Sequence, residues 1–196
     1  MKKSGTLLLA SANSHKIEEL LQVLNPLGVE LKSTLDFPGA EDVVEDQPDL
    51  NGNALKKARH WFKKTGLPSL ADDTGLEVEA LDGAPGVYSA RYAGENVTYQ
   101  DNVDKLLSEL KGHSNRNAQF RTVIAFVNGS EEHLFEGICE GEITPAERGE
   151  KGFGYDPVFQ PEGYEKTFAE LEAEEKNKIS HRGQAVQKFI EFLKKE

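Results

Sequence analysis

The sequence predicts an α/β fold: a mixed twisted sheet with flanking helices, arranged as two lobes around a central cleft. Three observations predict it. Strand-like apolar runs alternate with amphipathic helical stretches through the first half of the chain. In the second half, Asn128-Gly129 lies between two long apolar stretches, a strong hairpin signal. The 196 residues, 37% apolar and 29% charged, suit one large domain or one domain of two lobes, residues 1–196, with a sizeable core.

The elements follow in order. Thr6 to Ala10 reads as a buried first strand. The polar turn Ser11-Ala12-Asn13-Ser14-His15-Lys16 follows it, and Ile17, Leu20, Leu21 and Leu24 then recur at helical spacing. A strand, short polar loop and helix in this order place backbone N–H groups and a helix N-terminus where an anion can bind. Ser11 and Asn13 add polar groups and Lys16 adds a full charge, although the glycines of a Walker loop are missing. The plainer reading is an N-cap at Asn13 or Ser14 beside a surface lysine. Glu30 to Thr34 reads as a second strand. Phe37 to Asp49 is acidic and loop-like. A helix from about Asn51 to Thr65 carries an inner stripe of Ala54, Leu55, Ala58, Trp61 and Phe62, with Gly66 as its stop. Lys57 lies beside that stripe and can extend inward.

Leu67 and Leu70-Ala71 read as the end of a short buried strand, stopped by Asp72 and Asp73. Along an extended chain these two side chains point in different directions. Paired acids after an apolar run can line a cleft floor; they also occur in solvated turns. Leu76, Val78 and Ala80 alternate with Glu77 and Glu79 as in a half-buried strand, closed by Asp82-Gly83. Gly83 to Gly94 is a glycine- and aromatic-rich loop. Thr98 caps a third helix bearing Val103, Leu106, Leu107 and Leu110. Ala118 to Val127 and Glu132 to Glu142 are the hairpin strands. A second glycine-rich loop, Gly152-Phe153-Gly154-Tyr155-Asp156, precedes a charged helix at Glu170 to Lys178. Ser180-His181-Arg182-Gly183 interrupts that helix before a last one carrying Val186, Phe189, Ile190 and Leu193.

Charge and cysteine usage exclude several classes. A formal net charge of −11 argues against general nucleic-acid binding. It leaves room for a small polyanion, because a few lysines and a divalent cation reverse the sign inside one cleft. Cys139 is the single cysteine, so no intramolecular disulfide or cysteine metal cluster forms. The opening Met1-Lys2-Lys3 and Thr6-Leu7-Leu8-Leu9-Ala10 imitate a signal peptide, but the apolar run is too short. The expectation is a cytoplasmic protein without membrane contact.

Five polar clusters interrupt ordinary core patterns: Ser11–Lys16, Glu45 to Lys57, Asp72–Thr74, Phe153–Asp156 and Lys176–Arg182. Lysines neutralise phosphates. Carboxylates hold magnesium, which takes oxygen ligands and bridges to phosphates. A flat aromatic stacks on a base, and His and Arg donate to carbonyls. The inventory suits a nucleoside triphosphate site with a hydrolytic metal.

On these motifs the sequence resembles the inosine/xanthosine triphosphate pyrophosphatase family. The match takes in Ser11-Ala12-Asn13-Ser14-His15-Lys16, Asn53-Ala54 with Lys57-Ala58, Ala71-Asp72-Asp73-Thr74-Gly75-Leu76 and Pro85 to Tyr92. It continues through Phe153-Gly154-Tyr155-Asp156-Pro157 and Lys176 to Ser180-His181-Arg182-Gly183. The resemblance implies that the loop Ser11, Ala12, Asn13, Ser14, His15 and Lys16 cradles a triphosphate and that Lys57 adds a second positive charge. Glu45 and Asp73 would hold Mg2+ with Asp72 nearby; Asp42 and Asp46 are alternatives on the same acidic loop. Asp73 would accept the proton of the attacking water and Thr74 would contact substrate. Phe153, Gly154, Tyr155, Asp156, Lys176, His181 and Arg182 would form the base pocket. The implied reaction is water attack at the α-phosphorus of non-standard purine triphosphates, releasing pyrophosphate, in a homodimer.

Three other readings compete. An aspartate-nucleophile phosphatase would need a second acid two residues after the first, where this chain has adjacent acids and then Thr74-Gly75. A non-catalytic nucleotide-binding regulator would use the same lysines and aromatics but has no use for the Asp72-Asp73 pair. A related family acting on modified pyrimidine triphosphates differs in substrate. His15 reads as a helix-start residue, and His60, His113 and His133 as surface or packing residues. Tyr88, Arg91 and Tyr92 fit a subunit interface or the cleft equally well.

Overall fold

The computed structural model describes residues 5–25, 28–37, 39, 43–129 and 131–195. Asp42, one alternative to Glu45, lies outside them, as do the first four residues. Among the described residues, seven strands form one sheet in the order β2-β1-β3-β5-β6-β7, with β4 paired to β3. The strands are β1 (Thr6–Leu9), β2 (Glu30–Ser33), β3 (Ser69–Val78), β4 (Pro85–Gly86), β5 (Asn117–Asn128), β6 (Glu131–Ile143) and β7 (Phe159–Pro161). The helices are α1 (Ser14–Leu24), α2 (Leu50–Thr65), α3 (Tyr99–Glu109), α4 (Ala173–Ile179) and α5 (His181–Lys195). β1 runs parallel to β2 and β3, whereas β3/β4 and β6/β7 are antiparallel. The sheet is mixed, as expected, and no described helix is long and apolar enough to cross a membrane.

The chain divides into two compact units. The first comprises Met1–Asp73, Thr122–Glu136 and Ala185–Glu196, and the second Thr74–Arg121 and Gly137–Gln184. Each has its own core. In the first, Leu7 and Leu9 of β1, Leu20 and Leu24 of α1 and Leu70 of β3 pack with Ile124, Phe126, Phe189 and Ile190. In the second, Leu76 and Val78 of β3 pack with Val103 and Leu106 of α3, with Leu110 just after it, and with Phe120, Phe159 and Phe168. Burying each such side chain contributes about 1.5–3 kcal/mol.

Helix ends follow the cap residues. Asn13 caps α1 by accepting from the Lys16 N–H, and Asp49 caps α2 by accepting from the Gly52 N–H. Thr98 caps α3 in a reciprocal pair with Asp101. Gly66 closes α2 in the left-handed conformation at φ 71°.

Two expectations need correction. The strand does not stop at the acids: β3 continues through Asp72, Asp73 and Thr74 to Val78. Lysines from α1 and α2 meet both carboxylates, so the charges need no solvated turn. The interruption before the last helix is also shorter than expected. Ser180 alone is extended, and His181, Arg182 and Gly183 form the first turn of α5.

Candidate active site

The acids at the centre of β3 are buried, with Asp72 2% and Asp73 6% exposed. Alternation along the strand gives them different partners. Asp72 Oδ2 lies 3.1 Å from Lys16 Nζ, so the α1 lysine reaches the strand beside β1. Lys57 Nζ donates to Asp73 Oδ1 at 3.0 Å, to Glu45 Oε1 at 2.5 Å and to the Asp72 carbonyl at 2.7 Å. Lys57 can do this because it follows Ala54 on the inward face of α2 and is itself 9% exposed.

The charges here oppose desolvation. Burial holds the Asp73 carboxyl above the ordinary carboxylate range and Glu45 adds to the rise, against the pull of Lys57 and Lys16. Burial alone would depress Lys57. The charges of Asp73, Glu45 and Asp72 outweigh it and hold the ammonium above its usual value. Asp73 Oδ2 is buried and has no hydrogen-bond partner among the described residues. A buried carboxylate oxygen in that condition is costly unless a cation or a water completes it.

The donor set fits a hard cation. Among the described residues no three His, Cys, Asp or Glu side chains gather to hold a metal. Glu45 and Asp73 nevertheless share one ammonium, and magnesium is commonly held by one or two carboxylates with substrate phosphates completing the shell. Asp46, the described alternative, pairs with Lys56 at 2.7 Å on the exposed side of α2.

The loop before α1 is mostly outward. Ser11, Asn13 and Lys16 are partly exposed, and Ala12, Ser14 and His15 are exposed. Ser11 Oγ accepts from the Asn13 N–H at 3.2 Å. Ser14, His15 and Lys16 occupy the first turn of α1, where backbone N–H groups lack helical acceptors.

Thr74, the first residue of the second unit, is joined to Asp73 by one peptide bond. Arg182 Nη2 donates to Thr74 Oγ1 at 3.2 Å. The half-buried Phe153 ring has the Arg182 guanidinium 5.6 Å and Lys176 Nζ 5.2 Å from its centroid, with the Tyr99 ring at 5.9 Å. Asp156 Oδ2 accepts from Lys176 Nζ at 2.7 Å and from the Phe153 N–H at 2.9 Å, which fixes the turn bearing the aromatic. Gly152 is required beside it: its φ is +74°, and a Cβ would lie 2.0 Å from Asp156 Oδ2. Gly154 also takes a positive φ. Tyr155 is buried and donates its hydroxyl to the Ser89 carbonyl at 2.8 Å, so its ring belongs to the packing of this turn. His181, 3% exposed, stacks on Phe120 with centroids 4.5 Å apart and planes 17° from parallel.

Each predicted residue therefore falls into one of two groups. Ser11 to Lys16, Glu45, Lys57, Asp72 and Asp73 lie in the first unit; Thr74, Phe153 to Asp156, Lys176, His181 and Arg182 lie in the second. Sequence reasoning gave no role to Ser89. Its buried hydroxyl accepts from the Leu76 N–H at 2.9 Å and donates to the Gly86 carbonyl at 2.6 Å, tying the Pro85–Tyr92 loop to β3 two residues after Thr74. A serine in a glycine-rich loop carries no periodic signal that would have singled it out. Nor was Tyr99 singled out, because the residue after a helix cap is ordinarily exposed.

A dITP/XTP pyrophosphatase of Flavobacterium psychrophilum is 50% identical over 188 residues, 96% of this chain and 98% of that protein. A protein of the same description from Desulfotalea psychrophila is 48% identical over 181 residues, 92% of this chain and 81% of its own. Among solved structures, a HAM1 protein from Coxiella burnetii superposes with a TM-score of 0.90 at 42% identity, covering 97% of this chain and 99% of its own. The Staphylococcus aureus Ham1 protein gives 0.88 at 38%, covering 96% and 98%. The model of the Ham1 family matches residues 7–192, and the chain belongs to that family.

Proposed function

We infer that the protein is a nucleoside triphosphate pyrophosphohydrolase acting on the non-standard purine nucleotides ITP, dITP and XTP. Water attacks the α-phosphorus, the bond to the bridging oxygen breaks, and the products are a nucleoside monophosphate and pyrophosphate. Relatives at about half identity over nearly the whole chain are dITP/XTP pyrophosphatases, which supports the substrate class. The observation that carries the mechanism is Asp73 Oδ2, a buried oxygen without a hydrogen-bond partner among the described residues, beside a lysine shared with Glu45.

In this reading Lys16, Lys57 and the first turn of α1 bind the phosphates and offset charge building on the leaving pyrophosphate. Asp73 takes the proton of the attacking water. Glu45 and Asp73 would hold Mg2+, with Asp72 near them. The chemistry such a cation would supply is charge neutralisation on the phosphates and a lowered pKa for the attacking water.

The second group reads the base. Phe153 offers a face for stacking, with Lys176 and Asp156 keeping its turn in place. Inosine and xanthosine carry a carbonyl at the purine 6-position, where adenine carries an amino group. Donors from His181, Arg182 or the backbone pair with the carbonyl. Facing an amino group they stay unpaired, a penalty of about 1–3 kcal/mol per group. The resemblance further supports a homodimer, testable by light scattering as twice the 21.7 kDa chain mass. Cys139, the single cysteine and a buried one, is compatible with a reducing cytoplasm.

Product analysis tests the whole reading. The protein is incubated with magnesium and inosine, xanthosine, adenosine, guanosine or deoxyuridine triphosphate, and pyrophosphate and phosphate are assayed separately. Pyrophosphate from the inosine and xanthosine nucleotides is expected. Phosphate would overturn attack at the α-phosphorus, and absence of product would favour a binding protein.

A further inference from the structure

Glu45 sits on a stretch with no helix or strand, residues 43–49, ahead of α2. A carboxylate on such a stretch reaches a fixed point only if the backbone around it is held. Three residues of α2 hold it. Lys57 takes the Glu45 side chain itself. One helical turn earlier on the same face, Asn53 Oδ1 accepts from the Gln47 N–H at 3.0 Å. Between Asp49 and Asn53, Gly52 lets Gln47 approach the helix: a Cβ at Gly52 would lie 2.8 Å from Gln47 Cβ.

Asn53 is 1% exposed, deeper than the segment it holds. The Gln47 N–H requires an acceptor, which fixes the oxygen end of the amide and leaves Nδ2 as a buried donor with no hydrogen-bond partner among the described residues. A side chain serving only helix packing would be apolar there, as Ala54 and Ala58 are on the same inner face. A buried amide with one end unsatisfied is destabilising, and it persists where the satisfied end has a use.

We propose that Asn53 is a positioning residue for Glu45, holding the backbone two residues beyond it so that the carboxylate stays beside Asp73, with which it already shares the Lys57 ammonium. The proposal rests on the reading of Glu45 as a ligand of the divalent metal. Asn53 acts through the peptide of Gln47 and need not touch the metal or the nucleotide.

The test uses Mn2+ alone as probe, its binding to the nucleotide-free protein read by the loss of the free-ion electron paramagnetic resonance signal. Asn53→Ala is expected to weaken binding by about tenfold, the effect of losing a group that orients a metal ligand. Added to Glu45→Gln it should cost nothing more, because both changes remove the same contribution. Gly52→Ala leaves Asn53 in place and raises helix propensity, yet its methyl displaces Gln47, so it should weaken Mn2+ binding without lowering the melting temperature. Wild-type binding in Asn53→Ala, or multiplicative losses in the double variant, would overturn the proposal. If Asn53→Ala fails to fold, wild-type binding in Gly52→Ala overturns it. Undiminished binding in Glu45→Gln removes the metal reading and the proposal with it. Loss in Glu45→Gln but not in Asn53→Ala removes the proposal alone.

Discussion

Lys57 Nζ stands 3.0 Å from Asp73 Oδ1, yet the opposite oxygen of the same carboxylate has no hydrogen-bond partner among the described residues. One ammonium therefore satisfies half of a buried acid and, among the described residues, leaves the other half unmet. Burial and the neighbouring Glu45 keep the carboxyl above its ordinary range in spite of the lysines. Such unsatisfied, shifted acids are found where stability has been given up for chemistry.

Asp73→Asn should accordingly lose activity and gain stability. A general base contributes roughly 10²–10⁴-fold, and turnover should fall by at least that much while nucleotide binding stays measurable. The stability effect has a sign fixed by linkage. The folded-state pKa of Asp73 is raised, so the folded protein favours the protonated form. Below the unfolded-state value the group costs nothing; as pH rises through the folded-state value, stability is lost. The variant should melt higher than wild type at pH 7.5 without divalent metal, by about 2–4 °C for each kcal/mol relieved, and the gap should close in acid. A lower melting temperature at pH 7.5 would contradict the direction of the shift.

Lys57→Ala should instead lose stability, and nucleotide binding with it. Its ammonium is the shared counter-charge of Glu45 and Asp73, both of which remain when it is removed. Breaking a buried pair by deleting one partner costs about 3–5 kcal/mol. Thermal melts should register that loss at neutral pH, and magnesium should restore part of it by replacing the missing charge. Calorimetric titration with a non-hydrolysable inosine triphosphate analogue should also weaken. Wild-type stability without metal would mean that Lys57 is not the counter-ion of these acids.

Asp156 and Lys176 form the second buried pair, at 2.7 Å with side chains 4% and 8% exposed. Because Asp156 Oδ2 also accepts from the Phe153 N–H, removing it releases the aromatic as well as a charge. Asp156→Ala should destabilise by about 3–5 kcal/mol and raise KM for inosine triphosphate far more than it lowers kcat. A fall in kcat at unchanged KM would place Asp156 in the chemistry instead.

The helices were legible because their signals are local. Asn13, Asp49 and Thr98 cap where their hydrogen-bonding chemistry says they should, and the stripe Ala54, Ala58 and Trp61 faces inward. β3 was misread because two adjacent carboxylates ordinarily need water. Lys16 and Lys57, distant in sequence, supply the counter-charge that lets the strand continue. The break before α5 was misplaced for a related reason. Polar residues resemble a loop, yet His181 and Arg182 are buried in a first helical turn by stacking on Phe120 and by the contact with Thr74. The residue types of the candidate site could be read from the chain. Their pairing could not, since Asp156–Lys176 and Glu45–Lys57 are tertiary contacts without a spacing rule.

His181 is the most exacting test of base selection. Its ring lies flat on Phe120 at 4.5 Å and opens α5, so its plane and the donor it presents are fixed before substrate arrives. A fixed donor discriminates because it cannot turn away from a mismatched amino group. On the proposed reading, replacing it by alanine would remove the penalty on adenine along with a bond to the 6-carbonyl. The ratio of kcat/KM for inosine over adenosine triphosphate should therefore fall about 5- to 100-fold, the equivalent of one unpaired buried group. Turnover of inosine triphosphate at saturation should fall less than that ratio, since Lys16, Lys57 and Asp73, the groups proposed to act at the phosphates, are untouched. His181→Phe controls for lost packing by keeping a ring on Phe120 without a donor, and it should lose the same discrimination. Discrimination retained in His181→Phe but lost in His181→Ala would assign the effect to stacking, leaving Arg182 or the backbone to read the 6-position.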